Sequence, residues 1–280
     1  MKKEMNEKLD AQIGQALKAV RSQKPLVHHI TNYVTVNDCA NIVLAIGASP
    51  IMADDLDEVE AITSISSALV LNIGTLNKRT IESMVAAGKK ANGLRIPVVL
   101  DPVGAGASAL RNKTTERILT EVKVDVLRGN ISEIRFVAGL DAATKGVDAA
   151  EADLISAEET GRAIAEQTAK KIGCVTAITG ATDIVSDGKS TILLENGTKS
   201  LSNITGTGCM CSSLVGAFCG AIDDPLLAAV GGILSLGIAG EIAEENVGDQ
   251  GNGSFRVAMM DSVSKLDAGI IGGRAKIHEV

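Results

Sequence analysis

Apolar residues fall into short unbroken runs along this chain, separated by stretches with helical periodicity. Ala68-Leu-Val-Leu-Asn-Ile-Gly74, Ile96-Pro-Val-Val-Leu-Asp101, Val124-Asp-Val-Leu-Arg128 and Cys174-Val-Thr-Ala-Ile-Thr179 read as strands buried on both faces. Amphipathic patterns over 78–92, 114–122 and 156–171 occupy the intervals between them. Strand, helix and strand at this spacing imply parallel crossovers, so the pattern predicts an α/β fold with a mostly parallel central sheet flanked by helices on both faces. Beyond Thr179 the pattern changes. The runs Thr182-Asp-Ile-Val-Ser186 and 190–195 flank Asp187-Gly188 and are followed by Asn196-Gly197. Such dipeptides are hairpin signals, which predicts an antiparallel meander at the far edge of the sheet. Further helices are predicted over 209–219, 225–245 and 254–265, and residues 1–24 read as an exposed, charged amphipathic helix.

The sequence shows no repeat, low-complexity linker or break in composition, so one domain over residues 1–280 is the simplest organisation. Hydrophobic residues make up 45% of the chain but aromatic residues only 1%, so the core must be built from Ala, Val, Ile and Leu. A formal net charge of -7 argues against a basic nucleic-acid footprint. The apolar tract over 226–242 is interrupted by glycines and Ser235 and reads as a buried helix rather than a membrane span. Five cysteines in a chain with no secretory leader pattern predict reduced thiols and a cytoplasmic setting. Cys209-x-Cys211 has the wrong spacing for a thioredoxin motif and no second cysteine pair completes a zinc site, while Cys39, Cys174, Cys211 and Cys219 lie on apolar faces as inert core residues.

In an open α/β sheet, ligands bind outside the carboxyl ends of the strands, which directs attention to the polar and glycine residues following each run. Ile204-Thr-Gly-Thr-Gly-Cys-Met-Cys-Ser-Ser-Leu214 reads as a strand end, a glycine loop and a helix start. Gly206 and Gly208 let the backbone turn, and the N–H groups of Thr207, Gly208 and Cys209 then converge at a helix N-terminus as an anion hole for a phosphoryl group. The same glycines also suit plain close packing of strand and helix. Gly188-Lys189-Ser190 has the tail of a P-loop, but Asp183 stands where its first glycine is required. Asp101 and Glu133 close or follow neighbouring strands and are candidates to place Mg2+, an ion that needs few protein oxygens. Asn130 with Glu133 also fits a helix capping box.

Taken together, Pro25-Leu-Val-His-His-Ile-Thr-Asn32, Asn37-Asp-Cys-Ala-Asn41, Ser49-Pro-Ile-Met-Ala-Asp54, Asp101-Pro-Val-Gly-Ala-Gly-Ala107, Asn130-Ile-Ser-Glu133 and Gly206-Thr-Gly-Cys209 closely resemble the hydroxyethylthiazole kinases, within the ribokinase-like superfamily. The resemblance spans about 25–261 and leaves 1–20 and 269–280 without candidate chemistry. It implies ATP-dependent phosphorylation of the alcohol of 4-methyl-5-(2-hydroxyethyl)thiazole in thiamine salvage, with ATP as co-substrate and Mg2+ as cofactor. It also implies a homotrimer with its site at a subunit boundary, and no nucleic-acid or membrane partner. It places Cys209 where most of the superfamily has the aspartate that deprotonates the substrate hydroxyl. The dipole of a helix start favours negative charge on a sulfur there. It assigns Asn32, Met52 and Gly206 to substrate binding, Arg128 and Thr179 to ATP, and Asp101 and Glu133 to the metal. Met52 suits a sulfur heterocycle but equally fills a core, and an arginine at a strand end is commonly a surface ion pair.

Three other readings compete. Gly104-Ala-Gly106-Ala-Ser-Ala109 formally fits a dinucleotide fingerprint, but Asp101-Pro102 disturbs the turn and no acidic residue closes the following strand, which weakens an NAD-dependent dehydrogenase. A non-catalytic ligand-binding protein on the same fold remains open because a thiol is a less familiar base. Pyrimidine and pyridoxal kinases generally carry aspartate at the helix start, against which Cys209 argues.

Overall fold

The computed structural model describes residues 2–140 and 151–280. The chain runs through α1 (Lys2–Gln23), β1 (Leu26–Ile30), α2 (Val36–Ile46), β2 (Ser49–Met52), α3 (Val59–Ser64), β3 (Ala68–Asn72), α4 (Lys78–Leu94), β4 (Val98–Asp101), α5 (Ala109–Glu121), β5 (Val126–Asn130) and α6 (Ile131–Ala138). It continues through α7 (Glu151–Ile172), β6 (Val175–Thr179), β7 (Asp183–Ser186), β8 (Thr191–Leu194), a 3-10 helix (Lys199–Asn203), α8 (Thr207–Cys219), α9 (Pro225–Val247), α10 (Asn252–Lys265), α11 (Ala268–Arg274) and β9 (Ile277–Glu279).

The strands form one sheet in the order β2-β1-β3-β4-β5-β6-β7-β8-β9. The first six are parallel, and β7, β8 and β9 join antiparallel. Alternation along each strand sends residues to two separate cores. Val27, Val70, Val99, Val126 and Ala177 pack under α1, α2 and α8 to α10. Ile30, Leu71, Leu100, Leu127 and Ile178 pack under α4 to α7 on the other face. With so few aromatic side chains, helices come very close to their neighbours. A Cβ on Gly216 would lie 2.4 Å from Val70, and one on Gly232 would lie 2.6 Å from the Val215 backbone. These contacts seat α8 between the sheet and α9, which fixes where its N-terminus emerges.

The mixed α/β sheet with an antiparallel edge agrees with the expectation from periodicity, and so does the buried character of α9. Four local expectations are corrected. Ile204 does not end a strand: it leaves the 3-10 helix, whose start is capped by the Thr198 side chain. Asn196-Gly197 does not turn a hairpin, because β8 finds its next partner in the C-terminal β9. Asn196 instead accepts from Lys276 N at 2.7 Å and donates to Arg274 O at 2.8 Å, clamping the approach of β9. The N-terminal helix is amphipathic but not merely exposed: Ile13, Ala16, Leu17 and Val20 are buried in the core. α5 begins five residues before its periodic stretch because Ser108 caps it.

Candidate active site

The parallel strands end on one rim, and each delivers a polar residue there. β3 ends at Asn72, β4 at Asp101, β5 at Asn130 and β6 at Thr179, while Asn32 follows β1 by two residues. These strand ends are neighbours by register: Asn72 pairs with Asp101, and Asn130 with Thr179. Above them α8 starts. Its N-cap is Gly206, with φ 92°, and it offers no side-chain acceptor. A Cβ there would lie 2.4 Å from Thr35, so both the turn and the close approach require glycine. By contrast Asn77, Ser108, Asn130 and Asp224 cap α4, α5, α6 and α9 with their side chains. Among the described residues, no group accepts from the N–H of Thr207, Gly208 or Cys209, and all three are half-exposed. The loop therefore keeps open donors at the positive end of a helix.

A cleft of about 580 Å³ runs beside this start, lined by Arg128, Thr179, Gly180, Thr198, Thr207 and Gly208 among others. Arg128 Nη2 donates to Thr179 Oγ1 at 2.5 Å, and Nη1 lies 3.7 Å from Asp101 Oδ2. A Cβ on Gly208 would approach Arg128 Nη1 to 2.9 Å, so glycine there leaves room for the guanidinium. The Thr207 hydroxyl donates to Leu201 O at 3.0 Å and ties the helix start to the 3-10 helix.

The Cys209 side chain turns away from that cleft, toward the strand ends. Its sulfur accepts from Asn32 Nδ2 at 3.1 Å and Asn72 Nδ2 at 3.3 Å. Asn32 is buried and fully engaged: its amide also donates to Asn72 Oδ1, while its Oδ1 accepts from the Thr35 N–H and hydroxyl. Cys39, Cys174, Cys211 and Cys219 are buried, and burial raises each thiol, Cys39 to about 11. Met52 is half-buried at the end of edge strand β2 and in register with His29.

Asp101 is 1% exposed. Its Oδ2 accepts from Asn72 Nδ2 at 2.9 Å and Ser212 Oγ at 2.8 Å, while its Oδ1 is buried without a partner among the described residues. Burial pushes this carboxyl up to about 6, against the opposing pull of Arg128. Glu133 has a different environment. Asn130 and Glu133 form a reciprocal capping box, and Glu133 Oε1 also accepts from Gly104 N at 2.8 Å. Both of its oxygens are thus engaged by backbone, and the carboxylate joins the turns after β4 and β5. For Mg2+ the donor set fits unequally. Asp101 offers an unused buried oxygen, whereas Glu133 supports the rim. No group of three or more His, Cys, Asp or Glu side chains gathers as a metal cage among the described residues. A hydrated Mg2+ carried mainly by phosphates suits this sparse set.

Sequence reasoning overlooked Asn72, which links Asp101 to Cys209. The available signal was an amide closing an otherwise apolar parallel strand at the end where ligands bind.

Residues 17–269 match the family described as "Hydroxyethylthiazole kinase family". A protein of Clostridium beijerinckii named "Hydroxyethylthiazole kinase" is 61% identical over 276 residues, covering 99% of this chain and 100% of that one. A second so named, from Ruminiclostridium cellulolyticum, is 61% identical over 269 residues, or 96% of this chain and 98% of the relative. The solved hydroxyethylthiazole kinase protein of Pyrococcus horikoshii OT3 superposes with a TM-score of 0.87 at 40% identity, over 96% of this chain and 98% of that one. The pyridoxal kinase of Staphylococcus aureus in complex with AMP-PCP and pyridoxal shares the fold, with a TM-score of 0.56 at 15% identity over 75% of this chain and 84% of the other.

Proposed function

The chain belongs to the hydroxyethylthiazole kinase family, and from that premise we propose how its residues carry out the phosphorylation of a hydroxyethylthiazole alcohol by ATP. The reaction forms a bond between the alcohol oxygen and the γ-phosphorus and breaks the bond from that phosphorus to the β,γ-bridging oxygen. ADP leaves with the electron pair, and the alcohol gives up its proton.

The nucleotide lies in the cleft lined by Arg128 and Thr179, with its phosphates directed at the start of α8. Arg128 supplies a fixed guanidinium suited to phosphate oxygens, and Thr179 holds it in orientation. The open N–H groups of Thr207 and Gly208 receive the migrating phosphoryl as its charge spreads. The thiazole sits on the other side of the loop, against Asn32, Met52 and the backbone of Gly206. Its hydroxyl faces the Cys209 sulfur, which orients it and accepts its proton. Asp101, with a carboxylate oxygen that has no partner among the described residues, would hold Mg2+ together with the phosphates, while Glu133 steadies the turn beside it. The ion, when bound, neutralises phosphate charge. Positioning and preorganised electrostatics supply most of the acceleration.

The segments that precede and follow edge strand β2 in the chain expose apolar side chains: Leu44 on α2, and Leu56 and Ile65 on either side of α3. Together with the position of Met52, they support a homotrimer whose site lies at a subunit boundary. A single kinase domain working in the cytoplasm fits the continuous sheet and the reduced thiols.

One observation carries the reading. Unused backbone donors at α8 lie next to a cysteine sulfur on one side and an arginine-lined cleft on the other. Steady-state assays with ATP and the thiazole alcohol test it. Cys209→Asp keeps kinase activity and Cys209→Ala lowers kcat by about 100-fold, within the range for a positioned proton acceptor. An Ala variant with wild-type kcat removes Cys209 from the reaction, and an inactive Asp variant removes its equivalence to a carboxylate base.

A further inference from the structure

The mechanism above gives no part to the buried amide that closes β3. Asn72 is 1% exposed, and its amide is engaged on both sides. Nδ2 donates to Asp101 Oδ2 at 2.9 Å and Cys209 Sγ at 3.3 Å; Oδ1 accepts from Asn32 Nδ2 at 3.1 Å and Gly74 N at 2.9 Å. The orientation of an amide is normally ambiguous, because its oxygen and nitrogen look alike. Here the surroundings decide it. Gly74 N is a backbone donor, so the atom facing it must be the oxygen, which turns the NH2 group toward Cys209 and Asp101. Asn32 is oriented in the same way by the Thr35 N–H, which points at its Oδ1.

The Cys209 sulfur therefore receives two N–H groups whose directions are each set by a backbone amide. Hydrogen bonds to a charged acceptor are stronger than those to a neutral one, so this pair favours electron density on sulfur over an S–H that points at the amides. Space is reserved for the pair as well. A Cβ on Gly74 would lie 2.8 Å from Asn32 Nδ2 and 2.9 Å from Asn72 Oδ1.

We infer that Asn72 is a positioning residue for phosphoryl transfer: with Asn32 it forms an amide cradle that presents the Cys209 sulfur to the substrate hydroxyl as an acceptor, and it couples that sulfur to Asp101. The inference rests on the role of Cys209 proposed above. In the step it supports, the alcohol O–H bond breaks, its proton passes to sulfur as S–H, and the oxygen keeps the electron pair with which it bonds phosphorus. The thiol afterwards returns the proton to solvent.

Two variants separate positioning from packing. Asn72→Asp is isosteric but replaces the donating NH2 with an oxygen, and Asn72→Ala removes the donors without adding charge. Each is checked for a cooperative melt, and the alanine variant carries the test if the aspartate variant does not fold. Two quantities are measured: the kinase parameters, and the rate at which iodoacetamide alkylates the native protein at neutral pH. The other four cysteines are buried, so alkylation reports Cys209, with Cys209→Ala as the blank and mass spectrometry locating the adduct. The expected result is a fall in kcat of about tenfold or more, with KM for ATP and for the thiazole within about threefold, the effect of losing a hydrogen bond to a charged acceptor. Alkylation slows in parallel, because the thiolate is the nucleophile.

A folded variant that keeps wild-type kcat and alkylation rate overturns the inference. So does a fall in kcat with unchanged or faster alkylation, since a loosened site would expose the thiol rather than protect it. A wild-type protein that does not phosphorylate the thiazole defeats the functional reading and the catalytic part of this one, and the alkylation rates then decide the cradle by themselves.

Discussion

Gly208 shows how one missing methyl group can serve a site. In a helix, alanine is favoured over glycine by about 1 kcal/mol, so glycine in the first turn of α8 is costly on propensity alone. Its compensation is the guanidinium of Arg128, which would lie 2.9 Å from a Cβ at that position. The clash is with the far end of a long side chain, which moves at little cost. Gly208→Ala should therefore fold with unchanged or slightly higher stability in a thermal melt. Steady-state kinetics should show KM for ATP raised about tenfold, as the arginine is displaced from the phosphates. A variant with the wild-type KM for ATP removes Arg128 from nucleotide binding. Glu133 makes a related point. Its role as a cap was legible in Asn130-x-x-Glu133, but its third bond, to Gly104 N, joins segments 29 residues apart that only the folded sheet brings together.

Among the elements, β1 carries the clearest consequence for stability. It lies between β2 and β3 with helices over both faces, so its adjacent histidines point to opposite sides of the sheet and both are buried. His28 Nε2–H donates to Ala53 O at 2.8 Å and Nδ1 pairs with the Thr63 hydroxyl at 3.0 Å, whereas His29 Nε2 has no partner among the described residues. Burial lowers both, and holds His29 at about 4 against an ordinary 6.5. Below pH 6.5 the unfolded chain binds a proton that folded His29 refuses. The stability from neutral His29 is therefore complete above pH 6.5 and is lost as pH falls toward 4. Its full loss is about 3 kcal/mol. Urea unfolding of His29→Leu should show a shallower decline between those limits than the wild type, with His28 leaving a residual slope. Equal slopes would mean that His29 titrates normally in the fold. The strands β3 to β6 were legible because parallel strands covered on both faces must be apolar throughout. β1 and β2 were not, since His28, His29 and Pro50 interrupt the run. β9 was missed because a three-residue strand carries almost no pattern of its own.

For the whole molecule, the sheet of the described residues ends in a free edge at β2. Leu44, 57% exposed on α2, and Ile65, 67% exposed at the end of α3, belong to the helices that precede and follow that strand in the chain. An unpaired edge and exposed apolar side chains each favour burial against another chain. Sedimentation of the wild type should give three times the chain mass. Leu44→Glu should shift it toward the monomer and lower thiazole kinase activity, because Met52 ends that same strand. A monomeric, active wild type would refute both the trimer and the shared site. By itself the sequence determined the layered α/β plan and the glycine loop before Cys209, since periodicity and turn chemistry are local properties written over a few residues. Only the tertiary structure decided that the sulfur of Cys209 rests on the amides of Asn32 and Asn72. It also decided that Asp101 keeps one oxygen free and that the chain's last strand completes the sheet. Each of these depends on groups far apart in the chain meeting within 3 to 4 Å, a distance set by how the helices pack on the sheet.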